Sequence, residues 1–375
     1  MSKPSPVLTQ MPWNVKKKIV EFSNAYSLLS LRRSSKEFKA LVDKAPVSYP
    51  LLTIQYTKGI DSEDIEVTLK VNDHLQVSRK FSPNPRGFTM KNRSGNWEKQ
   101  VETEREEAFL DESIGLLAGK VFKRSNVAVR IVRIHCGFDR DVGWQPSADA
   151  VQNLRDRKGY LMDKIKDAFS LLPFQIPIET LELYMAAKQD DLLSVLPYFQ
   201  PGTLKRIHIF SGSRGIRSSG FSLDQRVTDL EQWKQAKILK IMDVKVHLEI
   251  TKCAHFNELL ISPNTMSVDE LQFLLQNFTA NLDFIRTAMI SKNFPKQDFI
   301  NFFSRFKKVS IHLEDAWEIE IPGSTDYLLA NVFYSRVGID RRKLLQFATT
   351  SSTSEALQNQ QCTLEESCEF HNGSC

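Results

Sequence analysis

The apolar positions of this 375-residue chain change spacing twice, and each regime predicts a different kind of element. From Leu8 to Val42 the spacing is helical. Val15, Ile19 and Phe22 fall at i, i+4 and i+7, which leaves Lys16, Lys17, Lys18 and Glu21 mostly on the opposite side. Pro12 suits a first helical turn, where its missing N–H has no intrahelical partner to lose. A second helix carries Tyr26, Leu28, Leu29 and Leu31, with Ser23 or Asn24 placed to cap it. Ser34-Ser35-Lys36-Glu37 predicts a capping box, Ser34 with Glu37, at the start of a third helix. Phe38, Leu41 and Val42 form the buried side of that helix, and Pro46 stops it. Three helices in fewer than forty residues cannot bury a core alone, so the unit needs a neighbour or a partner.

After Pro50 the period becomes two. Ile65, Val67, Leu69 and Val71 alternate with Glu66, Thr68 and Lys70, the pattern of a half-buried strand. Asn72-Asp73-His74 is a turn, Leu75, Val77 and Phe81 line a return strand, and Pro83 to Gly87 breaks the pattern. Leu110, Ile114, Leu117 and Val121 mark a helix, and Val127, Val129 and Ile131 another strand. Residues 50–140 therefore read as a β-rich connecting segment with one helix, closed by Gly137 and the breaks from Gly143 to Pro146.

From about residue 148 to 340, helix and strand patterns alternate. Leu161, Ile165, Ala168, Phe169 and Leu172 are spaced for a helix, as are Leu192 to Tyr198 and Leu230 to Ala236. Strands are marked by Leu181, Ile207, Leu239, Leu259, Ile285 and Val309, at steps of 26, 32, 20, 26 and 24 residues. That is near the length of a leucine-rich repeat, though irregular. A helix–strand unit cannot cover its own apolar face, and stacked units joined by right-handed crossovers bury a continuous core. The fold class is α/β (α+β), with an irregular leucine-rich-repeat-like solenoid expected and a compact α/β sandwich with a mixed sheet as the competing architecture. Thr228-x-x-Glu231 and Ser267-x-x-Glu270 predict further capping boxes. Pro201-Gly202 turns a helix into a strand, and Trp233 anchors its helix in the core.

The stretch Leu8-Thr9-Gln10-Met11-Pro12, Ile19, Leu28, Leu31 and Phe38-x-x-Leu41-Val42 resembles an F-box over residues 8–48. It departs from that pattern at Trp13, at Lys17-Lys18 and at Phe38, where many members have Trp. The resemblance implies docking on the Skp-type adaptor of a cullin–RING ubiquitin ligase. By position, Leu8, Met11, Pro12, Ile19, Leu28 and Leu31 would lie in the adaptor's apolar groove. A second resemblance covers roughly residues 150–320. Leu196-Pro197-Tyr198-Phe199-Gln200-Pro201-Gly202-Thr203-Leu204-Lys205 and Leu230-Glu231-Gln232-Trp233-Lys234-Gln235-Ala236-Lys237 are similar to the FTH domain, which accompanies an F-box in a large nematode family. That pairing implies protein–protein interaction and substrate recruitment without an enzymatic role.

Composition agrees with this class. Hydrophobic residues make up 41% and charged residues 25%, and no run of about twenty apolar residues offers a membrane span. Met1-Ser2-Lys3-Pro4-Ser5-Pro6 lacks the apolar core of a signal peptide, and five scattered cysteines do not form a disulfide scaffold. Cytoplasm or nucleus is the expected compartment. Residues 345–375 are polar and read as a disordered tail. The formal charge of +5 is matched by Trp13 to Lys44 alone, where eight Lys or Arg face three acids. A basic docking surface speeds encounter with an acidic partner.

No arrangement of residues calls for catalysis, metal or cofactor. Cys253-Ala254-His255 with His247 lacks the paired spacing of a zinc site, and Ser211-Gly212-Ser213-Arg214-Gly215 lacks the Gly-Lys-Ser/Thr of a phosphate loop. No G-x-S-x-G elbow is present. Basic residues are not interleaved with aromatics on one element, so nucleic acid is not an expected partner. Arg214 and Arg217, in the loop 211–220, are candidates for holding an acidic or phosphorylated target. The expected function is that of a non-catalytic substrate-recognition subunit of a Skp–cullin–F-box ligase. The alternative is an F-box scaffold joining proteins outside ubiquitination.

Overall fold

The computed structural model describes residues 11–350 apart from short internal stretches, the longest being 211–220 and 139–146. The chain divides into two compact units, Met1–Ser218 with Gln225–Ala236, and Ser219–Asp224 with Lys237–Cys375.

The first unit opens with α1 (Trp13–Glu21), α2 (Ala25–Ser34) and α3 (Lys36–Lys44). Phe38, Leu41 and Val42 are buried as the pattern predicts. The stripe on α1 is rotated from its expected phase: Val20 and Lys16 face inward, while Val15 is 40% exposed. The Lys16 stem can occupy that position because its ammonium pairs with the Glu37 carboxylate on α3. Glu37 is thereby drawn away from the expected capping box. The cap lies one residue later, where the Ser35 hydroxyl accepts from Phe38 N–H at 3.1 Å. Ser34 ends α2 and donates to the Leu31 carbonyl at 2.7 Å. Ser23 likewise serves α1, donating to the Ile19 carbonyl at 2.6 Å. Asn24, Phe22 and Pro46 lie outside the described residues.

A sheet follows, built from β1 (Val47–Lys58), β2 (Glu63–Lys70), β3 (Gln76–Asn84), β4 (Gly87–Asn92), β5 (Glu98–Glu102), β6 (Val127–Phe138), β7 (Ile178–Tyr184) and β8 (Arg206–Phe210). Its order within this unit is β5-β4-β3-β2-β1-β6-β7-β8. Pairing is antiparallel from β5 to β1 and parallel from β1 to β8. The expected boundary near residue 140 is therefore no break, since β6 pairs with β1 on one side and β7 on the other. Pro83 to Gly87 also departs from expectation, continuing β3 through a tight hairpin in which Asn84 opposes Gly87. Gly87 is required there. Its φ is +143°, and a Cβ would come within 2.1 Å of the Val101 carbonyl.

Helices α4 (Ala108–Leu116) and α5 (Ala148–Ser170) lie on one face, α4 against β2 to β4 and α5 against β6. Alternate strand residues point into the resulting core: Leu52, Ile54, Val132, Ile134, Leu181, Leu183, Ile207 and Ile209 are buried. Leu161, Ile165, Ala168 and Phe169 meet them from α5, whose first turn is capped by the Ser147 hydroxyl. Next come α6 (Gln189–Leu193), a short 3-10 turn at Leu196–Tyr198, α7 (Gln225–Thr228) and α8 (Glu231–Gln235). Gly202 has φ +79°, which is how Pro201-Gly202 redirects the chain into β8. Trp233 is wholly buried, as predicted. The box expected at Thr228 and Glu231 does not form: Thr228 ends α7, and Glu231 bonds to Lys234 and Gln235 within α8.

The second unit contains β9 (Phe221–Leu223), β10 (Ile238–Met242), β11 (Val246–Leu248), β12 (Glu258–Ile261), β13 (Arg286–Ser291), β14 (Lys307–Ile311), β15 (Glu314–Glu320), β16 (Tyr327–Val337) and β17 (Asp340–Thr350), with α9 (Val268–Ala280) and α10 (Lys296–Phe303). Strands β10, β12 and β13 pair in parallel, as the repeat reading predicts. The series then stops. The neighbour of β13 is the antiparallel β17, and β14, the expected sixth repeat strand, pairs antiparallel with β15. Mixed pairing of this kind belongs to the competing sheet architecture, and the irregular solenoid expected from the spacing does not extend past β13. Strand β17 also reaches Thr350, past the tail's expected start at residue 345, while residues 351–375 lie outside the described residues. The Ser267–Glu270 box is present, with Ser267 N–H donating to Glu270 Oε2 at 2.8 Å and Glu270 N–H to Ser267 Oγ at 3.2 Å.

Candidate functional site

Two surfaces of the first unit place polar or apolar groups where a partner can reach them. The first is the helical trio. Pro12 immediately precedes α1, its carbonyl accepting from Val15 N–H at 3.0 Å and Lys16 N–H at 3.1 Å. Pro12 is exposed, and Met11, Ile19 and Leu31 are half-buried. Leu8 and the side chain of Leu28 lie outside the described residues. Trp13, 57% exposed, and Val15 extend the apolar area beyond the predicted set. Lys17, Lys18, Arg33, Lys36, Lys39 and Lys44 are exposed on the same three helices. Lys16 is excluded from that basic surface by its burial against Glu37.

The second surface is the sheet face turned away from α4 and α5, at the C-terminal ends of three parallel strands. Strand register sets Arg133 of β6 beside Glu182 of β7, and Glu182 beside His208 of β8. Two residues further on, His135, Tyr184 and Phe210 form a second row. In the first row Arg133 Nε donates to Glu182 Oε2 at 2.6 Å, and His208 Nδ1 lies 3.8 Å from Glu182 Oε1. Burial works against ionisation of Glu182, but bonding to His208 and Arg133 outweighs it and holds the carboxyl below its ordinary range. In the second row the Tyr184 and Phe210 rings stack at 4.5 Å and 9°, with His135 tilted at 6.3 Å from Tyr184. The Arg133 guanidinium sits 5.4 Å from the Tyr184 ring centre and joins the rows. Burial, then the Glu182 charge, raise the Tyr184 hydroxyl above its ordinary range.

The sequence reading did not single out these residues. A signal for them exists: Arg133-Ile134-His135, Glu182-Leu183-Tyr184 and His208-Ile209-Phe210 are three copies of a charged or polar, aliphatic, aromatic or imidazole triplet. Arg214 and Arg217 lie outside the described residues. Among the described residues no three His, Cys, Asp or Glu side chains gather as a metal site. Cys253 is buried in a 3-10 turn, where burial pushes its thiol upward, and His255 packs against Phe256 at 4.1 Å.

A helical trio with an exposed apolar flank precedes a mixed α/β domain in this chain. The F-box domain model matches residues 8–48, and the FTH domain model matches residues 160–307. The chain is an F-box protein with a C-terminal FTH domain. No curated protein and no solved structure matches it. The F-box supports docking on a Skp-type adaptor of cullin–RING ligases. No helix among the described residues is long and apolar enough to cross a membrane.

Proposed function

We propose that this protein is the substrate-recognition subunit of a Skp–cullin–F-box ubiquitin ligase, docking through residues 8–48 and holding its target with the domain that follows. The observation that carries the reading is the exposed apolar flank of α1, at Pro12, Trp13 and Val15, within the F-box match. Apolar side chains left in water on a small helical unit gain by burial against a second subunit, at roughly 25 cal/mol per Å². Met11, Pro12, Ile19 and Leu31, together with Leu8 and Leu28, are the proposed adaptor anchors. The protein itself supplies no chemistry, as is typical of F-box proteins. Its contribution to rate is proximity, because tethering raises the effective concentration of target beside the ubiquitin-loaded enzyme.

The exposed lysines of α1 and α3 give the docking surface a positive field, which favours an acidic adaptor face and a salt-dependent on-rate. The test is capture of a Skp-type adaptor by the full chain, repeated with Leu28→Ala and Leu31→Ala together. Truncating buried anchors costs about 2 kcal/mol each, roughly thirtyfold in affinity. Equal capture by both proteins would overturn the docking assignment.

A further inference from the structure

The sheet face at Arg133, Tyr184 and Phe210 is built in a way that a passive surface is not. Arg133 is held at its Nε by Glu182, and its guanidinium lies 5.4 Å from the Tyr184 ring centre. Glu182 is fixed in turn between Arg133 and His208. No hydrogen bond from the Arg133 Nη groups is present among the described residues. The side chain is 37% exposed, whereas that of Glu182 is only 11% exposed. The carboxylate is thus sunk beneath the guanidinium, and the positive outer edge faces solvent. Arg206, in the next row of the same face, is half-exposed and pairs with Glu179.

A guanidinium held by its own Nε, with a ring 5.4 Å away, has already lost part of the rotamer freedom that binding would otherwise cost it. Its two free N–H edges suit a pair of anionic oxygens. Beside it the stacked Tyr184 and Phe210 offer an apolar rim of fixed geometry.

We infer that this face binds an acidic segment of a partner protein, a carboxylate or phosphate seated on the Arg133 edge and an adjacent apolar side chain on the Tyr184–Phe210 rim. The assignment rests on the substrate-receptor reading and names the target chemistry for it. The exposed outer edge of the Arg133 guanidinium, with its own carboxylate partner buried, selects this occupant over a basic one. The chain's own residues 351–375 carry four glutamates and no Lys or Arg, so they are the competing occupant.

The experiment uses the full chain in complex with the adaptor and measures fluorescence anisotropy of three labelled peptides: alternating Glu and Leu, the same with phosphoserine for Glu, and alternating Lys and Leu. The two acidic peptides are expected to bind and the basic one is not. Tighter binding of the phosphoserine peptide would identify phosphate as the anion, and tighter binding of the Glu peptide carboxylate. Arg133→Ala and Tyr184→Ala should each weaken the preferred peptide by at least about tenfold, the scale of a charge-assisted bond. Arg133→Lys, which keeps the charge and the stem but loses the Nε bond, controls for folding and should weaken binding less. Adaptor capture by these variants stays at the wild-type level, whereas Leu28→Ala with Leu31→Ala loses the adaptor and, measured without it, keeps the peptide. Absence of acidic-peptide binding, equal binding of the basic peptide, or indifference to Arg133→Ala would each overturn the inference. A tenfold gain on deleting residues 351–375 would assign the face to the chain's own tail and overturn it too.

Discussion

Lys158 Nζ lies 2.6 Å from Asp191 Oδ2, with both side chains 7% exposed, so α5 and α6 are joined by an ion pair inside the first unit. The same Asp191 oxygen accepts from Lys188 N–H at 2.6 Å, which completes the turn into α6. Taking two charges from water is costly, and the pair is worth keeping only while both members are present. Lys158→Met or Asp191→Ala alone leaves one buried charge without its counter-ion. Each is expected to cost about 3–5 kcal/mol, read as a fall in the denaturant midpoint. Replacing both, Lys158→Met with Asp191→Leu, should recover most of that loss, less about 1 kcal/mol for the missing cap. A double variant no better than the singles would show that the pair's role is not electrostatic.

The same buried region governs a cysteine. Burial pushes the Cys136 thiol up to about 12, with Lys158 pulling it down and Asp191 pushing it up by smaller amounts. Cys253 is raised by burial alone. The thiolate is the reactive form, and at pH 8 both are held as thiols within the core. Iodoacetamide on the native protein, followed by digestion and mass spectrometry, is expected to leave both unmodified until denaturant is added. Native labelling of either would contradict the packing described.

The local patterns that were legible in the sequence share one property: their partners are close along the chain. The helical trio, the Ser267–Glu270 box, the Pro201-Gly202 turn and the buried Trp233 all depend on spacing within a few residues. The shifted cap and the rotated α1 stripe both involve the Lys16–Glu37 pair, which links residues 21 apart and cannot be read from period. The end of the parallel series at β13 is also non-local. It depends on β17 returning from some fifty residues downstream to take the next place in the sheet. Arg133 and Glu182 are 49 residues apart, and only the parallel register brings them together. A strand's face is legible from its alternation, but its neighbour across the sheet is not.

Acid sensitivity follows from two depressed carboxyls. Asp111 is opposed by burial, but its bonds to Lys164 at 3.0 Å and Tyr160 at 3.1 Å, with Arg105 beside it, hold it below the ordinary range. Glu182 is depressed in the same sense. A folded-state value below the unfolded one means stability that is present above the unfolded value and lost as pH falls through the folded one. The melting temperature should therefore hold steady near neutrality and begin to fall once the pH drops below about 4.5, the ordinary glutamate value. Glu182→Gln and Asp111→Asn should each flatten that decline. Unchanged slopes in both variants would remove these groups from the acid transition.

Docking and folding can be separated on the helical trio, because its apolar residues fall into two exposure classes. Phe38 is wholly buried and Val42 nearly so, whereas Trp13 and Val15 are exposed. Phe38→Ala deletes a core ring and is expected to cost about 3–5 kcal/mol, releasing the trio and the adaptor together. Trp13→Ala removes no core packing, so the melting temperature should stay within about 1 °C while adaptor affinity falls, by about 2 kcal/mol if the indole is a central anchor. Calorimetric titration of the adaptor into each variant, paired with thermal unfolding, distinguishes the two. Trp13→Ala binding like wild type would move the docking surface off this flank of α1 and onto α2, where Leu31 is half-buried and open to the same test.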